Sequence, residues 1–130
     1  MTSKIVDTNV LLSLFLKRDK GQFAEAGVFF KEVENGKTGA KVSVLVVNEF
    51  VWLARTFYHL DRVNYLNWLL RFLSIKNIKI IEVDKQTLVK VLQKMLTKKI
   101  DFTDVYLWAI AEERQIFTFD RDLTKLVKMK

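Results

Sequence analysis

The 130-residue chain has no cysteine, no proline, four glycines and one histidine. Without cysteine there can be no disulfide and no thiolate zinc site. With His59 alone, His-rich metal sites and mechanisms needing two imidazoles are excluded. His59 follows a hydrophobic helix and reads as a surface or helix-end residue. The lack of proline and the scarcity of glycine leave no linker or low-complexity tract, and no internal repeat is visible. Residues 1–130 are therefore expected to form a single domain. There is no signal peptide and no apolar run long enough to cross a bilayer, so a cytoplasmic protein without a membrane partner is expected. Acidic charge is also scarce: 15 Asp and Glu stand against 22 Lys and Arg, giving a net charge of +7 and a pI near 9.7. A basic surface can serve solubility alone, but it also suits a polyanionic partner such as nucleic acid.

Half of the residues are hydrophobic, enough for a sizeable core. Lys4 to Val6, Lys41 to Val44, Lys79 to Val83 and Ile116 to Phe119 read as short strands. Between them, apolar residues recur at helical spacing over Asn9 to Leu16, Gln22 to Glu34, Val46 to Tyr58, Arg62 to Ser74, the stretch after Asp84, and Asp104 to Arg114. Asp122 to Leu126 reads as a last short helix. Ser43 and Asp84 are placed to cap the helices that follow them. The stretch Arg62 to Ser74 is apolar on nearly every side, with Tyr65, Trp68, Leu69 and Phe72 opposite Leu66 and Leu70, which means deep burial or a partner surface. Alternating strands and helices predict an α/β domain with a mostly parallel sheet of four or five strands covered on both faces.

Four acids interrupt otherwise apolar sequence. Asp7 ends Lys4-Ile5-Val6, and Glu49 lies within Val42 to Leu53. Asp104 opens Val105-Tyr106-Leu107-Trp108-Ala109, and Asp120 closes Ile116-Phe117-Thr118-Phe119. Carboxylates are seldom buried without a compensating partner, and a shared divalent cation is the simplest one for four. Each acid also has a plainer reading. Asp7 can cap the first helix, Glu49 can lie on a surface, and Asp120 can open the turn before the last helix. Of Asp101 and Asp104, one can be a cap and the other functional. In open α/β sheets ligands bind beyond the carboxyl ends of the strands, where Asp7 and Asp120 fall. An oxygen-only donor set suits magnesium or manganese (Mg2+ or Mn2+), and such ions promote phosphodiester hydrolysis.

The segments Val6-Asp7-Thr8-Asn9-Val10-Leu11-Leu12, Val47-Asn48-Glu49-Phe50-Val51, Asp104 to Ala109 and Phe117-Thr118-Phe119-Asp120, in this order, resemble the PIN-domain ribonucleases, especially the VapC-type toxins of toxin–antitoxin modules. The resemblance covers nearly the whole chain. It implies a three-layer PIN-like fold and a Mg2+- or Mn2+-dependent endoribonuclease. Asp7, Glu49, Asp104 and Asp120 match the family's acidic positions, with Asp7 and Asp104 as direct metal ligands. Asn9 and Thr118 match supporting polar positions. Asp101 shadows Asp104, and Asp122 shadows Asp120. The apolar helix after Asp104 and the place of Asp120 just after Thr118-Phe119 favour Asp104 and Asp120 over their shadows. The resemblance also implies an RNA substrate, a homodimer and a cognate antitoxin protein. Lys17, Arg18, Lys20, Lys98, Lys99 and Arg121 are the basic residues expected to meet RNA.

Other classes remain open at this point. A phosphatase of the haloacid dehalogenase type also opens with an acid after a strand, but needs a second acid where Asn9 stands. A receiver domain would take its phosphoryl group on Asp84. An RNA-binding scaffold of the same fold would hold RNA without cutting it.

Overall fold

The computed structural model describes residues 2–111 and 115–129. Its elements run β1 (Ser3–Ile5), α1 (Thr8–Leu16), α2 (Lys20–Glu34), β2 (Gly39–Val42), α3 (Val44–Thr56), α4 (Arg62–Leu73), β3 (Ile78–Ile80), α5 (Lys85–Thr97), α6 (Phe102–Ile110) and α7 (Arg121–Lys128). The strands form one parallel sheet in the order β1-β2-β3. Ile5 pairs with Lys41 and Lys41 with Lys79, while Val42 pairs with Ile80. Ala40, Val42, Ile78 and Ile80 are buried, whereas Lys41 and Lys79 are exposed. Those two strands therefore alternate between core and solvent, unlike strands buried on both faces.

The α/β class and parallel sheet agree with the sequence reading, but the described residues contain three strands instead of four or five. Ile116 to Phe119, expected to be a strand, is irregular, with Phe117 88% and Phe119 93% exposed. The cause is local. The Asp120 N–H donates to Thr118 Oγ1 at 3.0 Å, and the Asp120 carboxylate accepts from the Leu123 N–H at 2.9 Å. These bonds turn the chain directly into α7, and side-chain bonds of this kind compete with a strand ladder. One edge of β1 is consequently unpaired among the described residues, and Ile5 is 73% exposed. α6 begins at Phe102, before Asp104, and ends at Ile110. The expected helix end at Arg114 lies outside the described residues.

Every described helix begins after an Asp or Ser, and these residues take up much of the chain's scarce acidic charge. The N-caps are Asp7, Asp19, Ser43, Asp61, Asp84, Asp101 and Asp120. A carboxylate there satisfies unpaired N–H groups and complements the helix dipole. Asp84 holds the expected position, but its side chain makes no capping bond. Ser43 caps α3 by accepting from the Leu45 N–H at 3.1 Å. Glu82, just beyond β3, reinforces that start: it accepts from the Val44 N–H at 2.8 Å and from Ser43 Oγ at 2.5 Å. The carboxyl end of the sheet is thereby fixed to the entry of α3.

The apolar faces of α4 are used inside the molecule. Tyr65, Leu66, Leu69, Phe72 and Leu73 are buried. Trp68 stacks on both Phe50 and Phe72, with ring centroids 5.5 Å apart in each pair, and Phe15 meets Trp68 edge-on at 5.3 Å. This aromatic ladder joins α1, α3 and α4 and packs the half-buried Trp68 and the buried Phe72 against the core. On the other side, α6 lies against α5 through buried Trp108. The ammonium groups of Lys90 and Lys94 stand 4.6 and 5.0 Å from its ring centroid.

Candidate active site

Asp7 follows β1 and caps α1, its Oδ1 accepting from the Val10 N–H at 3.2 Å. Asn9 lies in the first turn of α1 and is exposed. Glu49 lies near the middle of α3, Asp104 in the first turn of α6, and Asp120 at the start of α7. α1 packs on α3, α3 on α6 and α6 on α7. The four helices that carry or follow the acids therefore form one continuous packed series.

Burial separates the acids. Asp7, Glu49 and Asp120 are exposed, and only Asp104 is half-buried. The apolar neighbours of Glu49 do not bury it, because Leu45 and Trp52 on the same helix face are 74% and 55% exposed. The expectation of four carboxylates enclosed in apolar surroundings thus holds in part for Asp104 alone. Burial raises the Asp104 carboxyl above its usual pKa, and the charges of Asp120, Asp101 and Asp122 raise it further. α6 and α7 therefore gather Asp101, Asp104, Asp120 and Asp122 into one electrostatic neighbourhood.

The paired candidates have different roles here. Asp101 occupies the N-cap position of α6, but its carboxylate pairs with Arg55 of α3 at 2.7 Å. Asp104 sits one turn further in and is the more enclosed of the two. Asp120 caps α7, while Asp122 lies in that helix's exposed first turn. Thr118 is half-buried and accepts the Asp120 N–H, so it shapes the turn that presents this acid.

The basic candidates are dispersed. Lys17 and Arg18 follow the carboxyl end of α1 and Lys20 opens α2. Nine residues of helix place them about 14 Å from Asp7 by the helical rise. Lys17 lies over the ring of Phe23 and Arg18 over that of Tyr58. Lys98 and Lys99 are exposed on the loop between α5 and α6, and Arg121 is exposed at the start of α7.

Arg62, which carries no motif in the sequence, holds that loop. Its Nη2 donates to the carbonyls of Met95, Lys98 and Ile100 at 3.1, 3.1 and 2.8 Å. Arg55 meets the start of α6 through its exposed pair with Asp101. Neither interaction has a sequence signal, because the partners lie more than 30 positions apart. A cleft of about 140 Å³ lies between α3 and α6, with Arg55, Arg62 and Trp52 in its lining.

The donor chemistry fits a hard divalent cation. It consists of oxygen alone, and the like charges around Asp104 would be relieved by such an ion. Among the described residues, however, no three His, Asp or Glu side chains are grouped closely enough to hold one metal ion. No described helix is long and apolar enough to cross a membrane. A family model described as PIN domain matches residues 4–129. No curated protein and no solved structure matches the chain.

Proposed function

The chain belongs to the PIN-domain family, whose members are in general nucleases that bind divalent metals, and from that premise we propose that it is a Mg2+- or Mn2+-dependent endoribonuclease. The observation that carries this reading is the state of Asp104. In a chain of net charge +7, this half-buried carboxyl is raised by burial and by three neighbouring aspartates. A carboxylate neighbourhood within a positive molecule suits a cation that must in turn meet a phosphate chain.

As the resemblance implies, Asp7 and Asp104 would hold the ion, with Glu49 and Asp120 completing its surroundings directly or through water. Magnesium keeps several waters and commonly takes only one or two protein carboxylates, so a compact three-acid cage is not required. When bound, the ion supplies Lewis acidity toward a phosphodiester oxygen and lowers the pKa of water at the site. The chain's own contribution is positional. The caps at Asp7 and Asp120 engage one oxygen of each carboxylate and leave the other for a ligand. Arg62, through the carbonyls of Met95, Lys98 and Ile100, fixes the loop that leads into the helix bearing Asp104. The wider resemblance supports a VapC-type toxin acting as a homodimer and inhibited by an antitoxin.

Purified protein should cleave RNA with Mg2+ or Mn2+ and stop when a chelator is added. Cleavage at the wild-type rate by Asp7→Asn and Glu49→Gln variants would refute the site assignment. Sedimentation of a monomer at high concentration would remove the dimer from this reading.

A further inference from the structure

The cleft between α3 and the start of α6 is lined by Asn48, Trp52, Arg55, Arg62, Asp101 and Thr103 among others. Trp52 differs from the other two tryptophans. Trp68 is stacked between Phe50 and Phe72, and Trp108 is buried beneath two lysines. Trp52 is 55% exposed, and no described ring or cation covers its indole. Arg55 lies one turn further along α3, so the two side chains are neighbours on the helix surface. Its pair with Asp101 is solvent-exposed on both sides, at 49% and 64%. An exposed pair of this kind is weak and readily exchanged for another anion. Arg62 is fixed by three carbonyls, which places a second guanidinium in the cleft wall without further ordering.

We infer that this cleft is a subsite for single-stranded RNA, with a base stacked on the Trp52 indole and a phosphate received by Arg55. An aromatic face beside a cation is the common arrangement for binding single strands without base choice. Both walls of the cleft lead to the proposed catalytic acids. Glu49 lies one turn before Trp52 on α3, and Asp104 lies one turn after Asp101 on α6. On each helix the acid therefore stands about one helical pitch, roughly 5 Å, from a residue that lines the cleft. Asp101 then acts as a counter-anion that occupies Arg55 until a phosphate displaces it.

The subsite rests on the nuclease reading, and a binding measurement without metal separates the two. Full-length protein in EDTA is titrated against a short labelled single-stranded RNA, and anisotropy is read at several salt concentrations. Trp52→Ala should weaken binding about tenfold, with Trp52→Phe retaining most of the affinity. Arg55→Gln should weaken binding and reduce the salt slope by about one phosphate's worth. Asp101→Asn should tighten binding, because it frees Arg55. Wild-type affinity and slope in both Trp52→Ala and Arg55→Gln would overturn the subsite and leave that surface to a protein partner. Weakening by Asp101→Asn in step with Arg55→Gln would also overturn it, since the pair would then be a structural brace alone. Absence of metal-free RNA binding by the wild type, with metal-dependent cleavage intact, defeats the subsite but not the nuclease. Trp52-dependent binding without any metal-dependent cleavage supports the subsite and defeats the nuclease.

Discussion

Asp7 Oδ1 accepts the Val10 N–H at 3.2 Å, so the carboxylate that follows the first strand also starts the first helix. Asp120 stands in the same relation to Leu123 at the start of α7. Capping and ligation are therefore not alternatives for these residues, because a carboxylate has two oxygens and each cap uses one.

That separation can be measured at Asp7. Asn caps a helix about as well as Asp but is a poor metal ligand. Asp7→Asn should leave thermal stability nearly unchanged and reduce cleavage roughly 100-fold or more, while Asp7→Ala should also lose about 1 kcal/mol of stability. Denaturant unfolding beside an RNA cleavage assay checks both. Equal stability of the two variants would show that the cap contributes nothing.

Asp104 should show the opposite balance. A carboxyl whose folded pKa is raised binds its proton more tightly folded than unfolded. Stability consequently falls as pH rises from the ordinary carboxylate value through the folded one, and the penalty is complete above the folded pKa. Asp104→Asn should therefore melt at a higher temperature than the wild type at pH 7 without metal, with the gain fading in acid. Magnesium should raise the wild-type melting temperature and leave the variant's nearly unmoved. Scanning calorimetry across pH, with and without Mg2+, tests the sign directly.

Glu82 has the reverse sign. Burial alone would raise its pKa, but hydrogen bonds from Ser43, the Val44 N–H and its own backbone outweigh that and hold the carboxyl below its usual value. A depressed folded pKa adds stability above the unfolded value, and this is lost as pH falls through the folded one. Glu82→Gln should lose about 1 kcal/mol at pH 7, near the low end for an exposed cap, and almost nothing once the wild-type carboxyl is protonated. A difference that stayed constant with pH would place its origin in packing.

Trp108 anchors the helix that bears Asp104. Trp108→Ala should cost about 3–5 kcal/mol, because it empties core volume and removes the ring beneath the Lys90 and Lys94 ammonium groups. Urea unfolding measures this destabilisation. Exchange of the α6 amides should rise before that of α3, because α6 is then without its largest buried side chain.

The α/β class and the helix starts are legible in the sequence because both are local. Ser43 before Val44 and Asp7 before Thr8 announce their helices from adjacent residues. Ile116 to Phe119 misleads because Ile-Phe-Thr-Phe suits a strand on propensity alone. The deciding interaction is the Thr118 hydroxyl with the Asp120 N–H, which propensity does not weigh. Asp101 and Asp104 cannot be ranked on position alone, since the pair between Arg55 and Asp101 spans 46 residues. In sequence, Trp52 is only an apolar neighbour that makes Glu49 look buried. Its exposure depends on what the rest of the chain leaves uncovered, and no local pattern encodes that.

The side of β1 left unpaired among the described residues also bears on how the protein behaves at high concentration. An open strand edge beside an exposed Ile5 is a template for pairing with another molecule. The chain has no proline to block such growth, so mutual repulsion of molecules carrying +7 is its main colloidal defence. Salt shortens the range of that repulsion to about 8 Å at physiological strength, and pH near the pI of 9.7 removes it. Turbidity should therefore grow with ionic strength and again toward alkaline pH, and low-salt, mildly acidic buffer is where concentrated stocks should stay clear.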